Sequence, residues 1–480
     1  MTKMLSYICV AISITFIVLS NSCSTKNNPF KNTVTNAAVT ASNDVEKNYI
    51  SYCAGCHGEK LDAFVDRKWK YGNTRENIFT GIKNGYPNGG MPAYKEAFSG
   101  RQIKDLADYI LKGIKNRERY DFGNNTKQNV FIFEEQNIKL DTIASGFKIP
   151  WSIAFLPNDE LLVTEKNGGL YKITKARTKL LIENSPQVVA EGQGGLMDII
   201  LHPNFKENNL VYISYSKRNE NNESLATTAI MMAKLVGNKL ENNKIIFEAL
   251  PYSTTRHHYG SKMVFANDGM LYFSVGERGN ENQNPQTITN DLGKIHRIKD
   301  DGSVPVDNPF TNANGKRTSL FTYGNRNPQG LTLNPFTNQI WEHEHGPRGG
   351  DEINIIQSGK NYGWPAISYG INYDGTVLTK NTALPGMEQP LHYWVPSIAP
   401  SGMAFVTGNK YKGWQGTLLV GSLKFKYLNK CTIKNNKVIS EELLLKNIGR
   451  LRDVRMGPDE FIYIAVESPG YVFRLTPVEK

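Results

Sequence analysis

The chain of 480 residues is longer than a single hydrophobic core usually spans, so we expect at least two domains. Its hydrophobic content of 39% and charged content of 21% exclude both a protein with several membrane spans and a disordered one. The formal net charge of +11 is spread among acidic residues. It therefore favours anionic surfaces or an acidic redox partner, and no nucleic-acid footprint is expected.

The N-terminus has the layout of a secretory signal peptide over residues 1–22. Lys3 precedes an apolar stretch that is shorter than the roughly 20 residues of a spanning helix. Residues 19–23 resemble a lipoprotein cleavage box that ends in Cys23. We therefore expect an exported, periplasmic protein held at a membrane through a lipid on Cys23. A plain signal peptide cut near Ser22 is the alternative.

Composition then divides the rest of the chain. Residues 23–43 are rich in Asn, Thr, Ala and Ser, which predicts a flexible tether. Helical spacing follows over residues 44–118, where Ser99 is placed to cap the last helix. A linker over residues 119–135 leads into residues 136–480, whose short apolar alternations, separated by Gly, Pro, Asn and Asp, are typical of an all-β domain.

The β region repeats one pattern six times: an apolar stretch, a turn, and a second apolar strand. Such a unit is typical of the inner strands of a propeller blade, so we predict a six-bladed β-propeller. A β-sandwich or two unrelated β domains are the alternatives. The six pairs cover residues 151–155 and 161–163, 196–201 and 210–213, 261–265 and 270–275, 329–333 and 339–341, 402–405 and 417–420, and 451–456 and 461–465.

The segment Cys-Ala-Gly-Cys-His at residues 53–57 is the attachment motif of a c-type haem. Cys53 and Cys56 can form the thioether bonds to the haem, and His57 can bind its iron. A zinc site is disfavoured because there is no second cysteine pair, and a redox dithiol because no βαβ context surrounds this one.

Met91 is predicted as the sixth ligand of the haem iron. It is the only methionine between His57 and Met197, and it follows a Gly-rich turn. Ligation by histidine and methionine suits electron transfer. Residues 44 to about 118 closely resemble class I cytochromes c, from the first helix through the haem motif to the last helix.

Several residues of the β region are placed at strand ends and can do chemistry. His258 precedes a strand, where an imidazole can accept a proton near neutral pH, although a lone loop histidine is often an ordinary surface residue. Arg326 with Asn327, and Arg450 with Arg452, are either surface residues or donors that converge on an anionic or carbonyl group.

Residues 342–352 are dense in His, Glu and Gly. His343 and His345 share one strand face, so zinc is conceivable, but a clear third ligand is missing. The carbonyls of a Gly-Pro turn at residues 346–347, next to two acidic residues, are better suited to calcium.

Together these segments resemble the soluble glucose and aldose sugar dehydrogenases that use pyrroloquinoline quinone (PQQ). The resemblance extends from about residue 146 to residue 475 and rests on many segments in the same order. The matching segments are residues 191–196, 258–265, 324–330, 343–352, 361–365, 396–402 and 450–454.

The resemblance implies a six-bladed propeller with PQQ across its top and a calcium ion on the quinone. His258 would be the general base, the carbonyls of Gly346 and Pro347 would bind calcium, and a second calcium is implied near Glu352 and Tyr362. The residues implied to hold PQQ are Gln193, Arg326, Asn327, Lys424, Arg450 and Arg452. The chain departs from the family's pattern at Glu277, where an aspartate usually orients the histidine, and at Lys262, where arginine is usual.

The implied function is oxidation of an aldose sugar at C1 to the lactone. Electrons would pass to the chain's own haem and then to an external acceptor, either a cytochrome or a quinone. Two alternatives stay open. One is a non-enzymatic binding propeller with a passive cytochrome, and the other is a dehydrogenase of a sorbosone-like aldehyde.

Overall fold

The computed structural model describes residues 44–58, 60–65, 67, 69–87, 91–120 and 129–479, with only the backbone of residues 55 and 56. The expected signal peptide, Cys23, the tether and residues 121–128 of the linker lie outside the described residues. In these ranges no helix combines the length and the apolar character needed to cross a bilayer.

The first described part is a small helical module. Its buried core includes Tyr49, Phe64 and Leu106, which are 0–3% exposed. The helices are α1 (Val45–Tyr52), α2 (Ala54–His57), α3 (Arg75–Asn84) and α4 (Gly100–Lys115), with 3-10 turns at Leu61–Phe64 and Asn116–Tyr120.

Helix α4 begins where the sequence predicts. The Ser99 hydroxyl accepts a hydrogen bond from the Gln102 backbone N–H, and the Gln102 side chain accepts one from the Ser99 backbone N–H. This capping box satisfies two N–H groups that the first turn leaves open. The helix then buries Ile103, Leu106 and Ile110 along one face, which holds it against the module's core.

The second part consists of six antiparallel sheets, the blades of a propeller. Two strands, β1 (Val130–Phe131) and β2 (Asn137–Ala144), precede the first complete blade. Blade one comprises β3 (Pro150–Phe155), β4 (Leu161–Glu165), β5 (Leu170–Ile173) and β6 (Lys179–Leu181). Blade two comprises β7 (Leu196–Leu201), β8 (Leu210–Arg218), β9 (Ala226–Val236) and β10 (Lys239–Glu248), with a short helix α5 (Phe205–Asn208) between β7 and β8. Blade three comprises β11 (Met263–Phe265), β12 (Leu271–Val275), β13 (Lys294–Ile298) and β14 (Leu320–Tyr323).

The remaining blades continue the same order, with the first strand of each nearest the axis. Blade four comprises β15 (Pro328–Leu333), β16 (Ile340–Glu344), β17 (Asp351–Ile355) and β18 (His392–Trp394). Blade five comprises β19 (Pro400–Phe405), β20 (Leu418–Ser422), β21 (Leu428–Lys434) and β22 (Lys437–Leu444). Blade six contains β23 (Arg450–Met456), β24 (Ile462–Glu467) and β25 (Tyr471–Val478).

Blade six is completed by strands from the other end of the β region. β2 pairs antiparallel with β25, from Asn137 opposite Val478 to Ala144 opposite Val472, and β1 adds a fifth strand. This pairing closes the ring of blades. The predicted fold class, a small all-α domain plus a six-bladed β-propeller, is confirmed, and each of the six predicted strand pairs is the inner pair of one blade.

A buried network of charges joins three blades near the axis. Lys262 Nζ lies 2.7 Å from Asp453 Oδ1 and 3.4 Å from Asp198 Oδ1. Arg455 also forms ion pairs with both carboxylates. Two cations therefore balance two acids, and the lysine that replaces the family's usual arginine keeps the charge in place.

Candidate functional site

The six blades open at one end onto a cavity of about 450 Å³, a size typical of small-molecule sites. Successive strands of a blade are antiparallel, so the start of each first strand and the end of each second strand lie at this same end. Residues from these positions line the cavity. Its charged and amide side chains are Lys166, Gln193, Asn327, Gln329, Arg450, Arg452 and Glu467.

A wider groove of about 780 Å³ lies elsewhere, between residues 134–136 and 477–479 on the strands that close blade six. Its lining includes one cation, Lys412, and no histidine. The central cavity, with its convergent basic and amide groups, is therefore the candidate site.

Four of the six residues predicted to hold PQQ line the cavity: Gln193, Asn327, Arg450 and Arg452. Arg326 lies beside it, where its Nη1 donates to the carbonyls of His345 and Gly346, each at 3.0 Å. Lys424 is exposed and is not among the lining residues. The roles of all six stay predictions.

The cavity wall at blade six carries a positive charge. Arg452 Nε lies 2.7 Å and Arg450 Nε 3.0 Å from the two oxygens of Glu467, and the Arg452 guanidinium packs 4.1 Å from the Trp151 ring. Burial opposes ionisation, yet the two guanidinium groups hold the pKa of Glu467 below its usual value. One carboxylate offsets only one of the two arginines, so with Lys166 nearby the wall favours an anionic ligand.

The predicted base and its partner are in contact. A hydrogen bond joins His258 Nδ1 to Glu277 Oε1, and the His258 side chain is 11% exposed. Gln193 Oε1 accepts from the His258 backbone N–H at 2.8 Å, which ties the histidine to the cavity wall. Glu277 therefore makes the contact to the histidine that the resemblance leads us to expect of an aspartate.

Burial changes both ionisations of this pair. It raises the pKa of Glu277 to about 7, an effect that the positive charge of Arg326 partly offsets. It lowers the pKa of His258 well below its usual value, and the Arg326 charge adds to that effect. The imidazole is therefore neutral at pH 7, as a general base must be.

The loop that carries His258 is held in an unusual backbone conformation. His258 has a φ of +54°, and Gly276 approaches so closely that a Cβ there would lie 2.1 Å from the His258 carbonyl oxygen. Arg278 packs 3.4 Å from the Tyr259 ring and donates to the His257 carbonyl at 2.8 Å. These contacts fix the position of the base.

The two histidines of residues 342–352 make hydrogen bonds between neighbouring blades. The ring nitrogens Nε2 of His343 and His345 bind the carbonyls of Ser401 and Pro400, which joins blade four to blade five. No group of three His, Cys, Asp or Glu side chains that could hold a metal is present in the described ranges. The zinc hypothesis therefore has no support in this part of the chain.

Asp351 anchors the loop that carries the predicted calcium carbonyls. Its carboxylate accepts from the Gly346 N–H at 2.8 Å, from the Ser397 hydroxyl, and from the N–H groups of Ile398 and Ala399. These contacts hold the Gly346–Pro347 turn directly after His345, which lines the cavity. Calcium at this turn stays a prediction.

The predicted second calcium site also stays a prediction. The Tyr362 hydroxyl donates to the Ile355 carbonyl at 2.6 Å and accepts from the Gln357 N–H at 3.0 Å, so backbone groups already engage it. Burial and the neighbouring Glu344 raise the pKa of Glu352 well above its usual value.

The described part of the helical module includes three of the four groups predicted to hold the haem, namely Cys53, His57 and Met91. Cys53 is buried and in no disulfide, and the buried Nδ1 of His57 has no hydrogen-bond partner among the described atoms. Met91 is half-buried and its backbone pairs with Tyr86. The Cys56 side chain and the turn at residues 88–90 lie outside the described residues. The groups present fit a covalently attached haem.

Replacing Met91 with alanine is expected to leave the haem covalently attached while removing the absorption features of sulfur ligation. The thioether bonds do not depend on Met91, whereas low-spin ligation needs a sixth ligand. Visible and near-infrared spectra of the oxidised protein measure this. Met387→Ala, in the propeller, is the control and should keep the parent spectrum. A parent spectrum in Met91→Ala would exclude Met91 as the ligand.

Several lining residues, among them Trp151, Lys166, Tyr373 and Glu467, were not predicted as site residues. Trp151 was assigned only to a strand, although the start of a first strand is where cavity residues lie. Lys166 directly follows β4 and could have been found by the same rule. Tyr373, which is 70% exposed, lies in a loop without periodicity, so no local signal indicates it.

The fold and cavity define a class of protein: a six-bladed propeller with a basic ligand cavity, joined to a helical module of the cytochrome c type. Residues 147–474 match the family model described as glucose/sorbosone dehydrogenase. Residues 40–110 match the model described as cytochrome c oxidase, cbb3-type, subunit III. The chain belongs to the glucose/sorbosone dehydrogenase family and carries an N-terminal cytochrome c domain.

Individual proteins similar to this chain include several sugar dehydrogenases. The chain is 37% identical over 348 residues to the aldose sugar dehydrogenase YliI of Escherichia coli K12, covering 71% of this chain and 93% of that protein. A crystal structure described as glucose dehydrogenase is 40% identical with a TM-score of 0.68, covering 71% of this chain and 100% of the other. The PQQ-bound aldose sugar dehydrogenase of Streptomyces coelicolor is 25% identical with a TM-score of 0.58, covering 71% and 98%.

Proposed function

We propose that this protein oxidises an aldose sugar at C1 to the lactone with PQQ and calcium in the propeller cavity, and passes the electrons to the haem of its own helical module. The proposal depends on one observation above all, the His258–Glu277 pair beside a basic cavity in a sugar dehydrogenase fold. The signal-like residues 1–22 and Cys23 support a periplasmic, lipid-anchored location.

The residues of the cavity fit PQQ, an anionic quinone with several carboxylates and carbonyls. Arg450 and Arg452 supply positive charge, and Gln193 supplies an amide. Arg326 Nε and Asn327 Nδ2 are buried donors without a partner in the described protein. Buried donors are normally satisfied, so these two indicate a ligand that accepts hydrogen bonds.

When bound, PQQ supplies the two-electron acceptor, and calcium the Lewis acid that polarises it. His258 removes the proton from the sugar's C1 hydroxyl. Glu277 accepts the Nδ1 proton of His258, which selects the tautomer whose Nε2 lone pair is free. The carbonyls of Gly346 and Pro347 are the hard oxygen donors that calcium prefers.

Glu277→Gln is expected to change the pH dependence of sugar oxidation. In the parent, the free Nε2 lone pair requires ionised Glu277, whose pKa is raised to about 7. Activity should therefore be full above pH 7 and fall as the pH drops through 7. The amide of the variant does not titrate, so the fall in activity should move to lower pH, where His258 with its lowered pKa becomes protonated. The maximal activity should also be lower, because the amide carries no charge to orient the imidazole.

The measurement is kcat/KM against pH at saturating PQQ and calcium. The control is Glu220→Gln, a change at a glutamate whose side chain is 84% exposed. It should reproduce the parent profile. A variant Glu277→Gln with the parent's acid limb and plateau would remove Glu277 from the mechanism.

The binding-propeller alternative is disfavoured by the same site. A passive binding surface has no need of a buried carboxylate–imidazole pair with shifted pKa values, whereas proton abstraction does. Sugar-dependent reduction of a phenazine dye by protein loaded with PQQ and calcium tests the proposal. A panel of aldoses and sorbosone-like aldehydes identifies the substrate class. Failure of every compound to reduce the dye would overturn the proposal.

A further inference from the structure

The helical module packs against blades four and five of the propeller. Tyr120 stacks on Phe425 with ring centroids 4.3 Å apart. Lys60 Nζ donates to the Tyr393 carbonyl at 2.8 Å and lies 4.0 Å from the centre of the Tyr393 ring. The Tyr393 ring in turn stacks on Tyr369 at 3.8 Å. The Lys60 ammonium group of the module is thus held by the stacked Tyr393 and Tyr369 of the propeller.

The side of the module that carries His57 faces this same surface. His57, Ala63 and Arg67 enclose a void with Arg348 and Ile371 of the propeller. The void measures only about 20 Å³, room for about one water. Arg67 donates to the His57 carbonyl at 2.7 Å, so the backbone of the haem motif is tied into this contact.

Two short segments connect this contact to the cavity. Arg348 directly follows Pro347 in the turn whose Gly346 carbonyl binds Arg326. Ile371 lies two residues before Tyr373, which lines the cavity. Arg348 and Ile371 pair with each other through two backbone hydrogen bonds of 3.1 and 3.2 Å. His345, which lines the cavity, is three residues from Arg348, at most about 11 Å of chain, and Tyr373 is two residues from Ile371, at most about 7 Å.

We propose that the Arg348–Ile371 pair is the internal electron-transfer contact between the propeller cavity and the haem held by His57, and that the Lys60–Tyr393–Tyr369 contact orients the module for this transfer. This inference rests on the proposed function. It names the route that the electrons take and assigns positioning roles to three residues outside the cavity.

Oxidation of the sugar breaks the C1–H and O–H bonds, forms a C=O bond, and releases two electrons and two protons. Two single-electron steps across the contact each reduce one Fe(III) to Fe(II). A one-electron acceptor such as a soluble cytochrome or ferricyanide oxidises the iron after each step, and the two protons leave to water.

The test is Lys60→Glu in the full haem-loaded chain. Charge reversal replaces attraction to the Tyr393 ring and carbonyl by repulsion, so the module should leave its position. Haem reduction after mixing with sugar, followed by stopped-flow absorption, should slow by about two- to fivefold, the scale of losing one exposed cation–π contact. Sugar-dependent reduction of a phenazine dye, which takes electrons at the cavity, should not change.

A second readout does not depend on turnover. Amide hydrogen exchange of the backbone segments around Arg348 and Ile371 should be faster in Lys60→Glu than in the parent. Tyr393→Leu probes the same contact from the propeller side and should reproduce both effects. Lys104→Glu, the same charge reversal at an exposed position of α4, should have neither effect.

The outcomes separate this inference from the proposed function. Absence of sugar-dependent dye reduction in the parent would overturn both. Dye reduction without haem reduction in the parent, or parent haem-reduction rates in Lys60→Glu and Tyr393→Leu, would overturn the electron-transfer contact and leave the sugar dehydrogenase proposal standing.

Discussion

His258→Ala is expected to lower the turnover of sugar by about 10²- to 10⁴-fold, the range over which a positioned base contributes to proton transfer. The substitution removes the imidazole that Glu277 orients. Among the described residues, no second imidazole hydrogen-bonds to the Glu277 carboxylate and could replace it as the base. PQQ binding should be retained, because the arginines and amides of the cavity are untouched. Dye-linked steady-state kinetics and a PQQ titration measure the two effects separately.

The neighbouring His257 supplies a matched control. It lies on the same loop with its ring centroid 4.6 Å from that of His258, but it is exposed. His257→Ala should therefore keep most of the turnover. Near-parent turnover in His258→Ala, at full PQQ occupancy, would remove His258 from the mechanism.

Lys262→Met is expected to lower the free energy of unfolding by about 3–5 kcal/mol, the cost of leaving a buried charge uncompensated. The Lys262 side chain is 6% exposed and its partners Asp198 and Asp453 are 0–1% exposed. After the substitution, Arg455 alone would face two buried carboxylates. Denaturant unfolding followed by tryptophan fluorescence measures the change.

Two further variants make this result interpretable. Lys175→Met removes an ion pair to Asp159 in which both side chains are more than 60% exposed, and stability should change little. Lys262→Arg keeps the charge and should retain more stability than Lys262→Met. Equal stabilities for Lys262→Met and the parent would show that the network does not hold the three blades together.

The inner strand pairs were predictable because they are short, apolar and followed by strong turn residues. β3 and β4 bury nearly every residue, which gives a continuous apolar signal. The outer strands gave no such signal. In β10, six of the ten residues from Lys239 to Glu248 are polar or charged, and much of the strand is exposed. Backbone pairing with β9, and not a pattern of apolar residues, keeps β10 in its sheet.

The closure of the ring was less predictable. β2 and β25 are separated by more than 300 residues of chain, so their pairing is a consequence of the whole ring and not of local sequence. The domain limits 44–118 and 136–480 and the intervening linker were placed by composition alone, and their exact bounds stay predictions.

Much of the site could be predicted because propeller cavities gather residues from equivalent strand ends. His258, Asn327 and Arg452 each lie at the start of a first strand or just before it, and they converge although they are distant in the chain. Lys424 lies just past the end of β20, the second strand of its blade, which is the same end of the propeller, but it is exposed, since a lysine can extend into solvent. Tyr373 comes from a long loop, where only the folded chain shows its position.

The central claim is that one polypeptide carries both redox centres and transfers electrons from a sugar to its own haem. The most direct test is to load the purified, oxidised protein with PQQ and calcium, add an aldose without any dye, and record the haem absorption. The account predicts the bands of ferrous low-spin haem when sugar, PQQ and calcium are all present, and none when any one is omitted. Haem that stays oxidised with all three present, while a dye is reduced under the same conditions, would contradict it.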